Sequence, residues 1–224
     1  MVSVAGGLSN PYNRAVRVGV IDVGNTRTKR ALFDGRKLRP LRGGVDLWVG
    51  CRVGRAAVPA GTLLLGRDFP SLVRNRARHP ETVGPDRLAQ ASAAWARAKG
   101  PCVVVAMGTA ITIDVVNARG EFLGGLIAPG LRLMARSLHE HTARLPEVEP
   151  VRKRATLGRD TREAIECGIP AAAEGLVRIA LAGHGGRVFG TGGDAPLFRD
   201  LFDVLAPDLA LEGVALSWRC SRRS

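Results

Sequence analysis

One supersecondary unit occurs twice in this chain, and it dictates the architecture. Residues 16–21 gather apolar and β-branched side chains as a buried strand does, break at D-V-G-N-T (22–26), and resume at 28–33. Asp34-Gly35 is a hairpin turn, so 37–41 is expected as a third strand, antiparallel to the second. From Cys102 the pattern returns: an apolar strand to Ala106, a turn at M-G-T-A (107–110), a strand at 111–116, a turn at 117–120 and a strand at 121–127. Gly24 and Gly108 hold equivalent places in the two copies. The repeat is one of architecture rather than of close sequence, and it implies two similar sheets.

Helical segments separate and follow the copies. Pro85 opens a helix over 86–98, closed by Gly100-Pro101. Further helices are expected at 131–144, at 161–182 with a bend near Pro170, at 195–205 and at 209–218. A short strand at 187–189 runs into a third glycine turn, G-T-G-G (190–193). The stretch 43–82 reads less clearly, as short strands at 45–49 and 62–65 and a helical segment at 71–78. The expected organisation is α/β: a flexible leader over 1–15, a first domain over 16–98 and a second over 99–224, each a mixed sheet with flanking helices.

Composition narrows the function classes. The net charge is +13, which suits a nucleic-acid binder, but the arginines are scattered, and the only tight run is Arg152-Lys153-Arg154. A role on nucleic acid is therefore not expected, whereas a phosphate-bearing substrate would suit such a surface. Four cysteines lie far apart with no C-x-x-C pair, which argues against a disulfide framework or zinc site and for a reducing cytoplasm. No signal-peptide pattern opens the chain and no apolar run is long enough to span a membrane.

The turns carry the chemistry. A carboxylate at a strand end followed by Gly, Asn and Thr places backbone N–H groups and short polar side chains on one concave face, which is a phosphate nest. Asp22 could hold Mg²⁺ beside those phosphates, and Lys29 could reach one of them as a point charge. The plain alternative is a hairpin without a ligand. The second turn, with Gly108, Thr109 and Thr112, repeats the device from the other half, so that two facing turns can clamp one polyphosphate. The third glycine turn fits close approach of a nucleotide ring or ribose to backbone. G-P-D-R (84–87) opens a helix. Asp86 there is either a favourable first-turn acid or a base that takes a proton from an attacking hydroxyl, with Arg87 on an anionic group. His139 and His141, two apart on a helix, point different ways and do not make a metal pair.

Taken in order, these segments resemble the type III pantothenate kinases. The likeness rests on V-I-D-V-G-N-T-R-T-K (20–29), G-P-D-R (84–87), G-T-A-I-T-I-D (108–114), G-G-L-I-A-P-G-L (124–131), H-T-A-R-L-P (141–146), G-R-D-T-R-E-A-I-E-C-G (158–168) and T-G-G-D-A (191–195). It implies two actin-like (ribonuclease H-like) domains and a homodimer with the active site near its interface. The implied reaction is ATP-dependent phosphorylation of pantothenate at its terminal hydroxyl, opening coenzyme A synthesis. Carried over by position, Asp22, Val23, Gly24, Asn25, Thr26, Arg27, Thr28, Lys29 and Thr109 would bind ATP with Mg²⁺. Asp86 would be the proton acceptor, and Gly84, Pro85, Asp86, Arg87 and Thr161 would hold pantothenate.

Two positions depart from the family pattern. The family's aspartate two residues before G-T-A, associated with potassium or ammonium, is Ala106 here, and a methyl group cannot coordinate a cation. Where the family tends to place a pocket-lining tyrosine, this chain has Ala77, and its sole tyrosine is Tyr12. Ala106 bears on cation dependence and ATP affinity, Ala77 on the substrate. Two alternatives follow: an inactive relative in a regulatory or nucleic-acid-associated role, and a kinase for another small hydroxy-acid.

Overall fold

The computed structural model describes residues 16–152 and 157–222. The expected leader with Tyr12, and Lys153 and Arg154 of the basic run, lie outside the described residues.

The first copy of the repeat forms β1 (Val18–Val23), β2 (Thr28–Phe33) and β3 (Leu38–Arg39). With β4 (Leu47–Arg52) and β5 (Leu63–Leu64) it makes a sheet ordered β3-β2-β1-β4-β5. The second copy forms β7 (Cys102–Met107), β8 (Ala110–Val116) and β9 (Glu121–Pro129). With β6 (Arg74–Asn75), β10 (Arg187–Thr191) and β11 (Val204–Leu205) its sheet is ordered β11-β10-β7-β8-β9-β6. In each copy the first strand pairs antiparallel with the second and parallel with a later strand, β4 or β10. Val23 pairs with Thr28 across the first turn and Met107 with Ile111 across the second. Asp22 and Ala106 therefore stand on equivalent rungs.

Two helices, α1 (Pro85–Ala98) and α4 (Leu209–Ser221), fill the space between the sheets. Alternate residues of both sheets point at them: Val18, Val20 and Val49 from one side, Val104, Val116 and Phe122 from the other, in one shared core. The intervening residues Val103, Val105, Ile111 and Ile113 face the opposite way, onto α2 (Leu131–Glu140) and α3 (Thr161–Ala182). With both faces covered, β7 is a continuous apolar run instead of an alternating one. Where α4 meets α1, a Cβ on Gly213 would collide with the Ala89 carbonyl, so the helix backbones approach closely.

Three expectations for local structure are corrected. Residues 71–78 are not helical: Arg74 and Arg76 donate backbone N–H groups to Gly120 and Phe122, because β9 offers a free edge there. The helix expected to reach 144 ends at Glu140, where the Thr142 hydroxyl takes the Leu138 carbonyl and His139 turns onto the Leu145 carbonyl. The helix expected over 195–205 is a 3₁₀ segment, Ala195–Leu201, broken at Phe198, and the chain then pairs as β11 beside β10. By contrast, α3 runs as one helix through Pro170.

Candidate functional site

Parallel pairing of β1 with β4 brings both C-terminal strand ends to one edge of the first sheet, the edge at which open α/β sheets bind ligands. The turn at this edge is tightened by the Gly24 N–H on the Arg27 carbonyl (3.0 Å). It is braced from β4 by the Val53 and Gly54 N–H groups, both donating to the Val23 carbonyl at 2.9 Å. A cavity of about 270 Å³ opens here, lined by residues 24–28 with Arg55 and Ala56. The second turn faces it directly: the Thr26 and Thr109 hydroxyls are hydrogen-bonded at 2.7 Å. The third glycine turn abuts the second. Gly192, at φ +94°, lies so close to Met107 that any side chain would collide with its backbone. The Arg27 guanidinium reaches across to Gly193. The structure thus brings the three turns expected from the sequence to one cleft.

Two largely buried carboxylates lie close enough beside that cleft for the charge of one to act on the other. Asp22, largely buried, accepts a hydrogen bond from the Cys51 thiol at 3.3 Å. Burial pushes its carboxyl up, the thiol works against this, and the nearby charge of Asp86 pushes it up further. Asp86 sits in the first turn of α1, after the Gly84 N-cap and Pro85. Burial raises its carboxyl too, opposed by the backbone N–H groups of Arg87 and of Asp86 itself. Asp86 has the environment of a base whose proton affinity has been increased.

Arg87 is held from behind. Its guanidinium grips the fully buried Asp114 carboxylate, with Nη2–Oδ1 at 2.5 Å and Nε–Oδ1 at 3.0 Å, and lies over the Phe122 ring at 5.5 Å. Burial pushes Asp114 up and Arg87 works against it. Asp114, the last residue of the 108–114 motif, is not among the site residues expected from the sequence. The available signal is its strand alternation, which puts it on the face that looks toward α1.

Other expected site residues stand elsewhere. Lys29, on the inner face of β2, donates to the Pro207 carbonyl and pairs with Asp208 at 3.4 Å, at the start of α4. Thr161 opens α3 behind the capping Asp160, on the opposite face of the second sheet from α1. Ala77 follows β6 beside the start of β9. Ala106 is flanked on its rung by Thr112 and Thr191, both neutral, and the next carboxylate along that face, Asp114, is taken by Arg87. No free carboxylate is therefore on hand for a monovalent cation at this rung, and the side-chain oxygens there are the hydroxyls of Thr112 and Thr191. Among the described residues no group of three or more His, Cys, Asp or Glu could hold a metal ion. Mg²⁺ would therefore depend on Asp22 together with phosphate and water oxygens.

A family model described as type III pantothenate kinase matches residues 52–182. The chain belongs to the type III pantothenate kinase family. A type III pantothenate kinase from Dehalococcoides mccartyi (strain CBDB1) is 36% identical over 172 residues, covering 73% of this chain and 65% of that protein. One from Rhodococcus erythropolis is 42% identical over 160 residues, covering 66% of this chain and 58% of that protein. The chain thus spans less than two thirds of the length of these relatives. Among solved structures, a Campylobacter jejuni protein described as a Baf family transcriptional activator superposes with a TM-score of 0.66 at 20% identity, covering 92% of this chain and all of that one. Together with the duplicated sheets, this likeness places the chain among the actin-like folds.

Proposed function

We propose that this chain transfers the γ-phosphoryl group of ATP to the terminal hydroxyl of pantothenate, the first step of coenzyme A biosynthesis. The observation that carries the reading is the meeting of the first and second glycine turns through Thr26 and Thr109, with Asp22 at the end of the strand that leads into the first turn and Asp86, at the head of α1, near enough to act on it electrostatically. Asp86 takes the proton as the pantothenate oxygen bonds to phosphorus and the bond from phosphorus to the β–γ bridging oxygen breaks, releasing ADP. The turns at Gly24 and Gly108 supply N–H groups to the phosphate oxygens, and Thr26 and Thr109 separate to admit them. Mg²⁺, held through Asp22, would neutralise charge on the transferring group. Arg87 is a positioning residue here: locked by Asp114 and Phe122, it fixes the first turn of α1 and hence Asp86. No step is assigned to potassium or ammonium.

The same reading includes a homodimer. Its support is the part of β9 beyond Phe122, where Leu123, Leu126 and Ile127 are exposed on a strand that β6 covers only at its start. Thr161, behind the second sheet, would reach pantothenate from a second copy. The lobes in this reading are residues 16–98 and 99–224, acting in the cytoplasm. No described helix is long and apolar enough to cross a membrane.

A coupled ADP-release assay with pantothenate tests the reaction. Turnover is expected in sodium buffer and unchanged on adding potassium. Absence of turnover under every cation condition overturns the reading. Asp22→Ala is expected to abolish ATP use, and retained activity would mean the cleft is not the nucleotide site.

A further inference from the structure

Arg55 lines the same cavity as the first glycine turn, together with Arg27. Neither guanidinium makes an ion pair or hydrogen bond among the described residues. Other arginines also lack a carboxylate partner among the described residues, as Arg30, Arg52 and Arg74 do; what sets Arg27 and Arg55 apart is that both line the cavity at the first glycine turn. Two unpaired cations lining one small cavity create a concentrated positive field.

The position of Arg55 is built rather than incidental. The residue before it, Gly54, presses on the Gly24 carbonyl so closely that a Cβ would collide with that oxygen. The Val53 and Gly54 N–H groups fasten the same segment to Val23. A glycine at 54 thus lets the chain leaving β4 lie flat against the turn, and residue 55 is delivered to the rim of the cavity. On the other side, Arg27 leaves the turn itself and reaches toward Gly193. Both arginines thus line the cavity that opens at the first turn.

We propose that Arg55 acts with Arg27 as a guanidinium clamp on the phosphate chain of the nucleotide. The inference rests on the ATP reading above. Planar guanidinium groups bind phosphate oxygens bidentately and remain charged at any working pH. The clamp also accounts for a charge deficit. The rung equivalent to Asp22 carries Ala106, so the second turn has no carboxylate with which to recruit a cation, and fixed positive charge from the first lobe does that work.

Direct binding to the full chain, measured calorimetrically, tests the clamp with Mg·ATP, inorganic tripolyphosphate and adenosine. Arg55→Ala should weaken Mg·ATP and tripolyphosphate by about tenfold or more, the loss of one charge-assisted contact. Adenosine affinity should be unchanged, and the salt dependence of tripolyphosphate binding should become shallower. Arg55→Lys should recover part of the loss, and Arg36→Ala, in the hairpin after β2, should match the parent. If Arg55→Ala binds tripolyphosphate as the parent does, the clamp is wrong while the ATP reading stands. If adenosine binding falls equally, Arg55 is structural and the clamp is again wrong. If the parent binds neither Mg·ATP nor tripolyphosphate, both inferences fall.

Discussion

At the scale of single residues, Asp22 and Asp86 show what two buried carboxylates cost the fold that holds them. Both carboxyls are raised by burial, so the folded chain binds their protons more tightly than the unfolded chain does. Their contribution to stability is fully present below the ordinary carboxylate pKa and is lost as pH rises through the raised folded value. At neutral pH an ionised, half-buried Asp86 is therefore a liability to the empty protein. Asp86→Asn should lower kcat by about 10²- to 10⁴-fold, the usual worth of a general base. The same variant should melt at a higher temperature than the parent at pH 7, with the gap closing toward pH 4, as scanning calorimetry across pH would show. In the parent, the acid limb of kcat/KM should lie above the ordinary carboxylate range. An Asp86→Asn protein that melts lower at neutral pH would contradict the burial argument.

Between elements, each glycine turn is held by a glycine from another strand or loop. Gly54 presses on Gly24 in the first lobe, and Gly130 presses on Gly108 and Thr109 in the second. The repeat therefore extends beyond the hairpins to the way each is buttressed. Gly54→Ala should push the segment after β4 off the first turn, costing about 1–3 kcal/mol as an overpacking change. It should also raise KM for ATP more than KM for pantothenate, because the disturbed contact is at the turn proposed to hold the phosphates. Steady-state kinetics with each substrate varied in turn would check this. Equal effects on both would point to a general loosening of the cleft.

Across the whole molecule, the two sheets are not independent bodies. They share one core around α1 and α4, and the Leu72 N–H is accepted at 3.1 Å by both Ser92 of α1 and Ser217 of α4. A single cooperative unfolding transition is expected, seen alike in circular dichroism and in the fluorescence of Trp48, Trp95 and Trp218. Gly213→Val, at the helix crossing, should lower the melting temperature by about 2–4 °C per kcal/mol of strain while leaving one transition. Two transitions in the parent would mean that the sheets unfold separately and the shared core is not the dominant link.

The sequence by itself determined the duplicated hairpins, the glycine turns between their strands, α1 with Pro85 and Asp86 at its head, and the extent of α3. These are local matters: β-branched runs, turn residues and helix punctuation act within a few positions, so they can be read in one dimension. Only the tertiary structure decided which groups lie across the cleft. Asp114 behind Arg87, Cys51 on Asp22, Lys29 drawn to the head of α4, Arg55 at the cavity rim and β6 in place of a helix all depend on chain segments that meet only in the fold. The physical reason is one of range. Propensity and periodicity are properties of neighbours in sequence, whereas desolvation, charge pairing and strand addition are set by neighbours in space.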